Sequence, residues 1–276
     1  MKRSQTFTQH SVDNKVKKWE LLTSKLNTHI PYIKTQDIKS KGSKNRSPDF
    51  ENPGKDRDFL SINESLFYLH LLFDKRITWI KEQYPLLPVN RAQYFAGQLG
   101  FRYPTYPYSN SVPVVMTSDF YCGTIFGGEV VYSIKSVKEI ENPNERKRIN
   151  TENKQKIEQT FWCAKGVKWH LILDSQLKTV FASNLEMLAP SLQLKDPLQW
   201  IFPRWLEIAI NVLPHFIFEK CADFISHMAK ATDLSFEQAN VCFHHALWHQ
   251  KIKANLNATL DYSKTLNELG VAALVD

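Results

Sequence analysis

A chain of 276 residues, 43% hydrophobic and 23% charged, can bury one or two ordinary cores, which excludes disorder as a description of the whole. Its net charge of +7 is uneven: +6 before residue 59, +3 from 59 to 190 and −2 afterwards. That asymmetry points to a polyanion met by the first two-thirds, because Lys and Arg beside phosphates gain affinity by releasing condensed counterions.

Charges interrupt residues 1–20 throughout, so no secretory apolar segment is expected there. The most apolar stretch, 200–218, carries Arg204, Glu207, Asn211 and His215 at helical spacing and reads as an amphipathic helix, with no membrane contact expected. Cys122, Cys163, Cys221 and Cys242 lie far apart without a CxxC pair, which suits neither a disulfide framework nor structural zinc. A reducing cytoplasm is the expected setting.

In chain order, residues 1–58 form a polar, basic N-terminal arm whose run 39–58 has almost no apolar residue. Within it 29–33 (His-Ile-Pro-Tyr-Ile) is an apolar island that would anchor the arm. Ordered structure is expected from residue 60: a helix over 60–73, then a strand over 77–84 stopped by Pro85 and Pro88. The Pro- and Tyr-rich piece 91–113 reads as a long irregular loop. Strands over 114–121 and 129–135, joined by a Gly123-containing turn and Gly127-Gly128, read as a hairpin. A helix over 146–164 and a buried strand over 169–174 complete an α/β core, residues 59–174. From 175 to 276 the pattern is helical, with helices over 179–188, 197–213, 214–231 and 235–249. The last opens on a capping box, Ser235 with Gln238, and alternation over 251–260 suggests the wing strand of a winged helix.

Three acidic residues and a lysine draw attention. Asp119 and Lys135, ending two neighbouring strands, can set a divalent metal and an ammonium beside one phosphate, although such pairs are commonly plain surface ion pairs. Glu64 lies in the first core helix, where Ser61-Ile-Asn-Glu64 is also a capping box. Glu158, mid-helix among basic neighbours, either fixes the lysine or is a solvated helix charge, and the solvated reading is preferred.

Six segments in order carry a resemblance: 29–33, Ser61-Ile-Asn-Glu64, 81–88 (KEQYPLLP), 116–120 (MTSDF), Ser133-Ile-Lys135 and 158–162 (EQTFW). Together they resemble the TnsA family, the endonuclease subunits of heteromeric bacterial transposases, over about residues 29–188. The resemblance implies an α/β restriction-endonuclease-like N-terminal domain and a mainly α, winged-helix-like C-terminal domain. It implies Mg²⁺-dependent cleavage at the 5′ ends of a transposon, with Mn²⁺ tolerated, double-stranded DNA as substrate, and a transposase and an ATPase regulator as partners. Position by position, it implies Glu64, Asp119 and Lys135 as the catalytic set. One departure stands out: the wider superfamily places Glu, Asp or Gln two residues before the lysine, and this chain has Ser133, whose hydroxyl brings no negative charge. The metal would then rest on Asp119, Glu64 and the Ile134 carbonyl, with Glu129 in support. The alternatives are a stand-alone restriction-type or junction-resolving nuclease, and a decayed assembly adaptor.

The last helix carries His245 and His249 four apart without a visible third ligand, so surface or cap histidines are expected. It has no Arg or Lys before Lys251, unlike a major-groove reader. Phe243 and Trp248 are expected to be exposed on it as a protein-docking surface.

Overall fold

The structure is a computed structural model and is described over residues 7–37, 45–49, 56–138 and 145–273. Its elements in chain order are α1 (Gln9–Leu26), β1 (Asn45–Pro48), β2 (Asp56–Phe59), α2 (Ile62–Phe73), β3 (Ile77–Pro85), α3 (Val89–Gln98), β4 (Thr117–Phe126), β5 (Glu129–Lys138), α4 (Glu145–Cys163) and β6 (Lys168–Leu173). They continue with α5 (Val180–Leu188), α6 (Leu198–Val212), α7 (Cys221–Thr232), α8 (Phe236–Trp248), β7 (Ile252–Lys253) and β8 (Ala272–Ala273). The chain divides into two units: residues 1–45, 58–64 and 74–175, and residues 46–57, 65–73 and 176–276.

A four-stranded mixed sheet in the order β3-β4-β5-β6 forms the centre of the first unit. β4 and β5 are a hairpin in which Phe126 pairs with Glu129 around Gly127 and Gly128, both at positive φ as a two-residue type I′ turn requires. The β5–β6 pair is parallel, so it needs a crossover, and α4 is that connection. α4 buries Ile157, Phe161 and Trp162 together with Ile134 of β5, while Trp162 Nε1 donates to Ser118 Oγ at 2.8 Å. This fixes the helix over the strand ends where the acidic residues lie. β6 is an edge strand with exposed and half-buried residues, in contrast to the buried strand expected.

Order begins earlier than residue 60. α1 is capped by Thr8 and Ser11 and packs Val12, Val16 and Trp19, at i, i+4 and i+7, around Tyr32 and Val115. Its many lysines conceal that narrow stripe in the sequence. The island 29–33 docks: Tyr32 N–H donates to the Gln83 carbonyl, and the His29 ring bonds the Glu82 carbonyl at 2.6 Å. Most of the run 39–58 lies outside the described residues. α3 occupies part of the expected irregular loop, because its buried residues are Ala92 and Ala96, too small to register as an apolar stripe.

In the second unit Trp205, Phe224, Ile225, Met228, Phe243, Leu247 and Trp248 form one core. α8 has the Ser235–Gln238 capping box, but it is the buried centre of this unit: Phe243 is 0% and Trp248 1% exposed. The docking surface expected from those two aromatics is therefore not there. The alternating segment is not a wing strand either; only Ile252–Lys253 is extended, paired with Ala272–Ala273, and turns fill most of the interval. The expected helix over 214–231 is shorter, with α7 starting at Cys221. His245 Nδ1 and His249 Nε2 bond the carbonyls of Ser191 and Leu192, so they act as caps for neighbouring backbone. No helix among the described residues is long and apolar enough to cross a membrane.

Candidate active site

Four side chains of the first unit converge where β4 begins and β5 ends: Glu64, Asp119, Lys138 and Glu158. β3 is irregular beside this cluster, since Glu82 pairs with Phe120 and Tyr84 with Ser118, while the intervening Gln83 has φ +48. A non-glycine residue in the left-handed region within a strand is strained, and such strain concentrates at functional sites. Gln83 uses the turn in both directions: its Nε2 donates to Glu64 Oε2 at 3.2 Å, and its Oε1 accepts from Thr117 Oγ1 at 2.8 Å.

Glu64 sits in the first turn of α2 and is 7% exposed. Its carboxylate closes the capping box with Ser61 Oγ at 3.2 Å and accepts the Leu60 N–H at 3.2 Å. Asp119, also 7% exposed, gathers three donors on Oδ2: Val137 N–H at 2.7 Å, Lys138 Nζ at 2.7 Å and Ser136 Oγ at 3.4 Å. Among the described residues, these three bonds all fall on Oδ2 and none on Oδ1. Glu158 reaches in from α4, is 4% exposed, and its Oε1 has no hydrogen-bond partner among the described residues.

Burial, reinforced by the charge of Asp119, pushes both the Glu64 and the Glu158 carboxyl up to about 7, with Lys138 offsetting part of the rise. Burial disfavours the charged form of Lys138, but the carboxylates of Asp119, Glu158 and Glu64 outweigh it and hold its pKa above the ordinary value. Three buried acids thus share one ammonium, an excess of negative charge that favours a further cation. Among the described residues, no three His, Cys, Asp or Glu side chains are grouped to hold a metal by themselves.

Lys135 is not in this cluster. It pairs with Phe120 and with His170, and it lies three positions before Lys138, an odd offset that puts the two on opposite faces of β5. Burial lowers its pKa, with smaller influences from Cys122, Asp74 and Arg76, none of them a member of the cluster. Glu129 is exposed at the hairpin turn, the far end of β5 from Lys138, about 30 Å away in a strand of ten residues. The Ser133 Oγ is buried without a hydrogen-bond partner among the described residues, and the fully buried Ile134 packs into the core with Ile157. Glu158, expected to be solvated, is buried in the cluster instead. Lys138, Ser136 and Gln83 are the residues the sequence reading missed. Ser136-Val-Lys138 repeats the Ser-x-Lys spacing of Ser133-Ile-Lys135, and only the register decides between them.

A mixed sheet with a carboxylate and a lysine at the end of a central hairpin, covered by a crossover helix, fits a restriction-endonuclease-like fold. The profile of the TnsA-like endonuclease N-terminal domain matches residues 74–174, which include Asp119, Lys138 and Glu158. The transposon Tn7 transposition protein TnsA of Escherichia coli is 24% identical over 209 residues, covering 76% of this chain and 71% of that protein. Both comparisons make the chain similar to TnsA-type endonucleases, the family that its six ordered segments resemble.

Proposed function

We propose that this protein is a transposon-end DNA endonuclease, hydrolysing one phosphodiester at each 5′ end of its element with Mg²⁺, or Mn²⁺ in its place. It would work beside a separate transposase and an ATPase regulator. The observation that carries the reading is the cluster of Glu64, Asp119 and Glu158 around Lys138 within a TnsA-like domain. The residues suit the cation: Mg²⁺ is typically held by one or two carboxylates plus substrate phosphate and water, so a cage of three protein ligands is not required. Glu64 and Asp119 are the carboxylates that would hold it. When bound, it supplies charge neutralisation at the phosphate and a lowered pKa for the attacking water.

The remaining work falls to the chain. Lys138, held by Asp119 at 2.7 Å, orients the attacking water or stabilises charge developing on the phosphoryl oxygens. Ser136 occupies the place where the superfamily has an acid or Gln, and Glu158, across from it on α4, supplies the missing negative charge. Gln83 and the capping box hold Glu64 in one orientation, so the ligand is preorganised. α8 is mostly buried and so is not a recognition helix free to enter a groove.

Purified full-length protein with Mg²⁺ or Mn²⁺ and a duplex carrying the transposon end tests this, alone and with the transposase and ATPase subunits. Cutting at the 5′ end only with those partners supports the reading. Robust cutting of plain duplex without them supports a stand-alone nuclease, and no cutting in any combination supports an adaptor.

A further inference from the structure

Beside the cluster opens a cavity of about 560 Å³, with Glu64 and Lys138 in its wall and a side of α4 along its length. Arg148, Thr151 and Gln155 of α4 line it, and Glu158 follows in the same progression. The spacing i, i+3, i+7, i+10 draws these four into one stripe along the helix. The stripe runs from an exposed arginine at the outer end to the buried glutamate of the active site. Leu171 and Leu173 of β6 form an apolar wall of the same cavity.

From Arg148 to Glu158 the stripe covers about 15 Å of helix axis. One DNA strand advances about 3.4 Å per nucleotide, so this length matches about four nucleotides. Polar side chains along one side and leucines along the other match the two sides of a nucleotide chain, phosphates and sugar–base faces. Arg148 is available: its ion pair with Glu152 is long, at 3.7 Å, and both side chains are more than half exposed. Such i,i+4 pairs are weak and yield to a phosphate, to which a guanidinium binds through two hydrogen bonds.

We infer that the α4 stripe of Arg148, Thr151 and Gln155 is the track that seats the backbone of the cleaved strand and leads its scissile phosphate to Lys138. This rests on the nuclease reading above and names the positioning residues of the same site. Glu152 has the opposite role, since it competes with phosphate for Arg148.

The test measures binding of a labelled plain duplex by full-length protein across a salt series, with Ca²⁺ replacing Mg²⁺ so that nothing is cut. Arg148→Ala should weaken binding about three- to tenfold and lower the slope of log affinity against log salt by about one. Glu152→Gln should tighten binding. Lys154→Ala, an exposed α4 residue outside the cavity lining, should change affinity less than about twofold. Equal losses for Arg148→Ala and Lys154→Ala, or no gain for Glu152→Gln, would overturn the track and leave only diffuse attraction. A parallel cleavage assay separates the two claims. Retained cutting by Lys138→Ala sinks the catalytic assignment, whereas the binding series judges the track whether or not the protein cuts.

Discussion

Replacing Lys138 and Lys135 by Ala in turn gives the sharpest test of the site, because the sequence makes them near-equivalents and the sheet places them on opposite faces. Lys138→Ala removes the ammonium 2.7 Å from Asp119 Oδ2 and leaves three buried acids without it. Loss of one preorganised electrostatic partner of a developing charge costs about 10²–10³ in rate, roughly 3–4 kcal/mol of transition-state stabilisation. The effect on folding should be smaller. Lys138 is 30% exposed, Val137 N–H still serves Asp119, and Glu64 and Glu158, with pKa values near 7, can take up protons in its absence. A loss of about 1–2 kcal/mol is expected, a few degrees in melting temperature. Lys135→Ala should keep cleavage within about threefold, since its neighbours Asp74 and Arg76 form their own bidentate pair. Single-turnover cleavage of an end-labelled duplex, with melting followed alongside, reads both quantities. Abolished cutting in Lys135→Ala together with normal cutting in Lys138→Ala would refute the register argument.

Glu158→Gln keeps the shape of the side chain and removes its charge, so cleavage should fall by about 10² while DNA binding is retained; wild-type rates would show that Ser136 needs no compensating acid. Phe243→Ala should destabilise the protein by about 3–5 kcal/mol in a denaturant titration, because the ring is fully buried, and a loss below about 1 kcal/mol would mean the aromatic is on a surface after all. Burial holds His244, bonded to Tyr262, neutral down to about 4. A histidine whose pKa is lower folded than unfolded loses stability as pH falls from the unfolded value near 6.5 to about 4, here by up to about 3 kcal/mol. His244→Gln should flatten that part of the stability profile, and parallel profiles for both proteins would count against the assignment.

The periodic elements were legible from the sequence alone. Alternation and Gly127-Gly128 specify the β4–β5 hairpin, the apolar positions 157 and 161 specify the buried side of α4, and Ser235 with Gln238 specifies the start of α8. Glu64 and Asp119 were likewise singled out as candidates, one beside its capping box and one by its ordered surroundings in a TnsA-like series of segments, and the structure brings the two side chains together. The choice of lysine was not. Two Ser-x-Lys triplets lie three residues apart on one strand, and a period of two means that only the pairing of Phe120 with Lys135 decides which ammonium meets Asp119. Glu158 could not be separated from a solvated helix charge, because its burial comes from the packing of α4 onto strands distant in sequence. The same limit applied to Phe243 and Trp248: helix periodicity marks an apolar face but not whether another part of the chain covers it, and here the remaining helices of the second unit do.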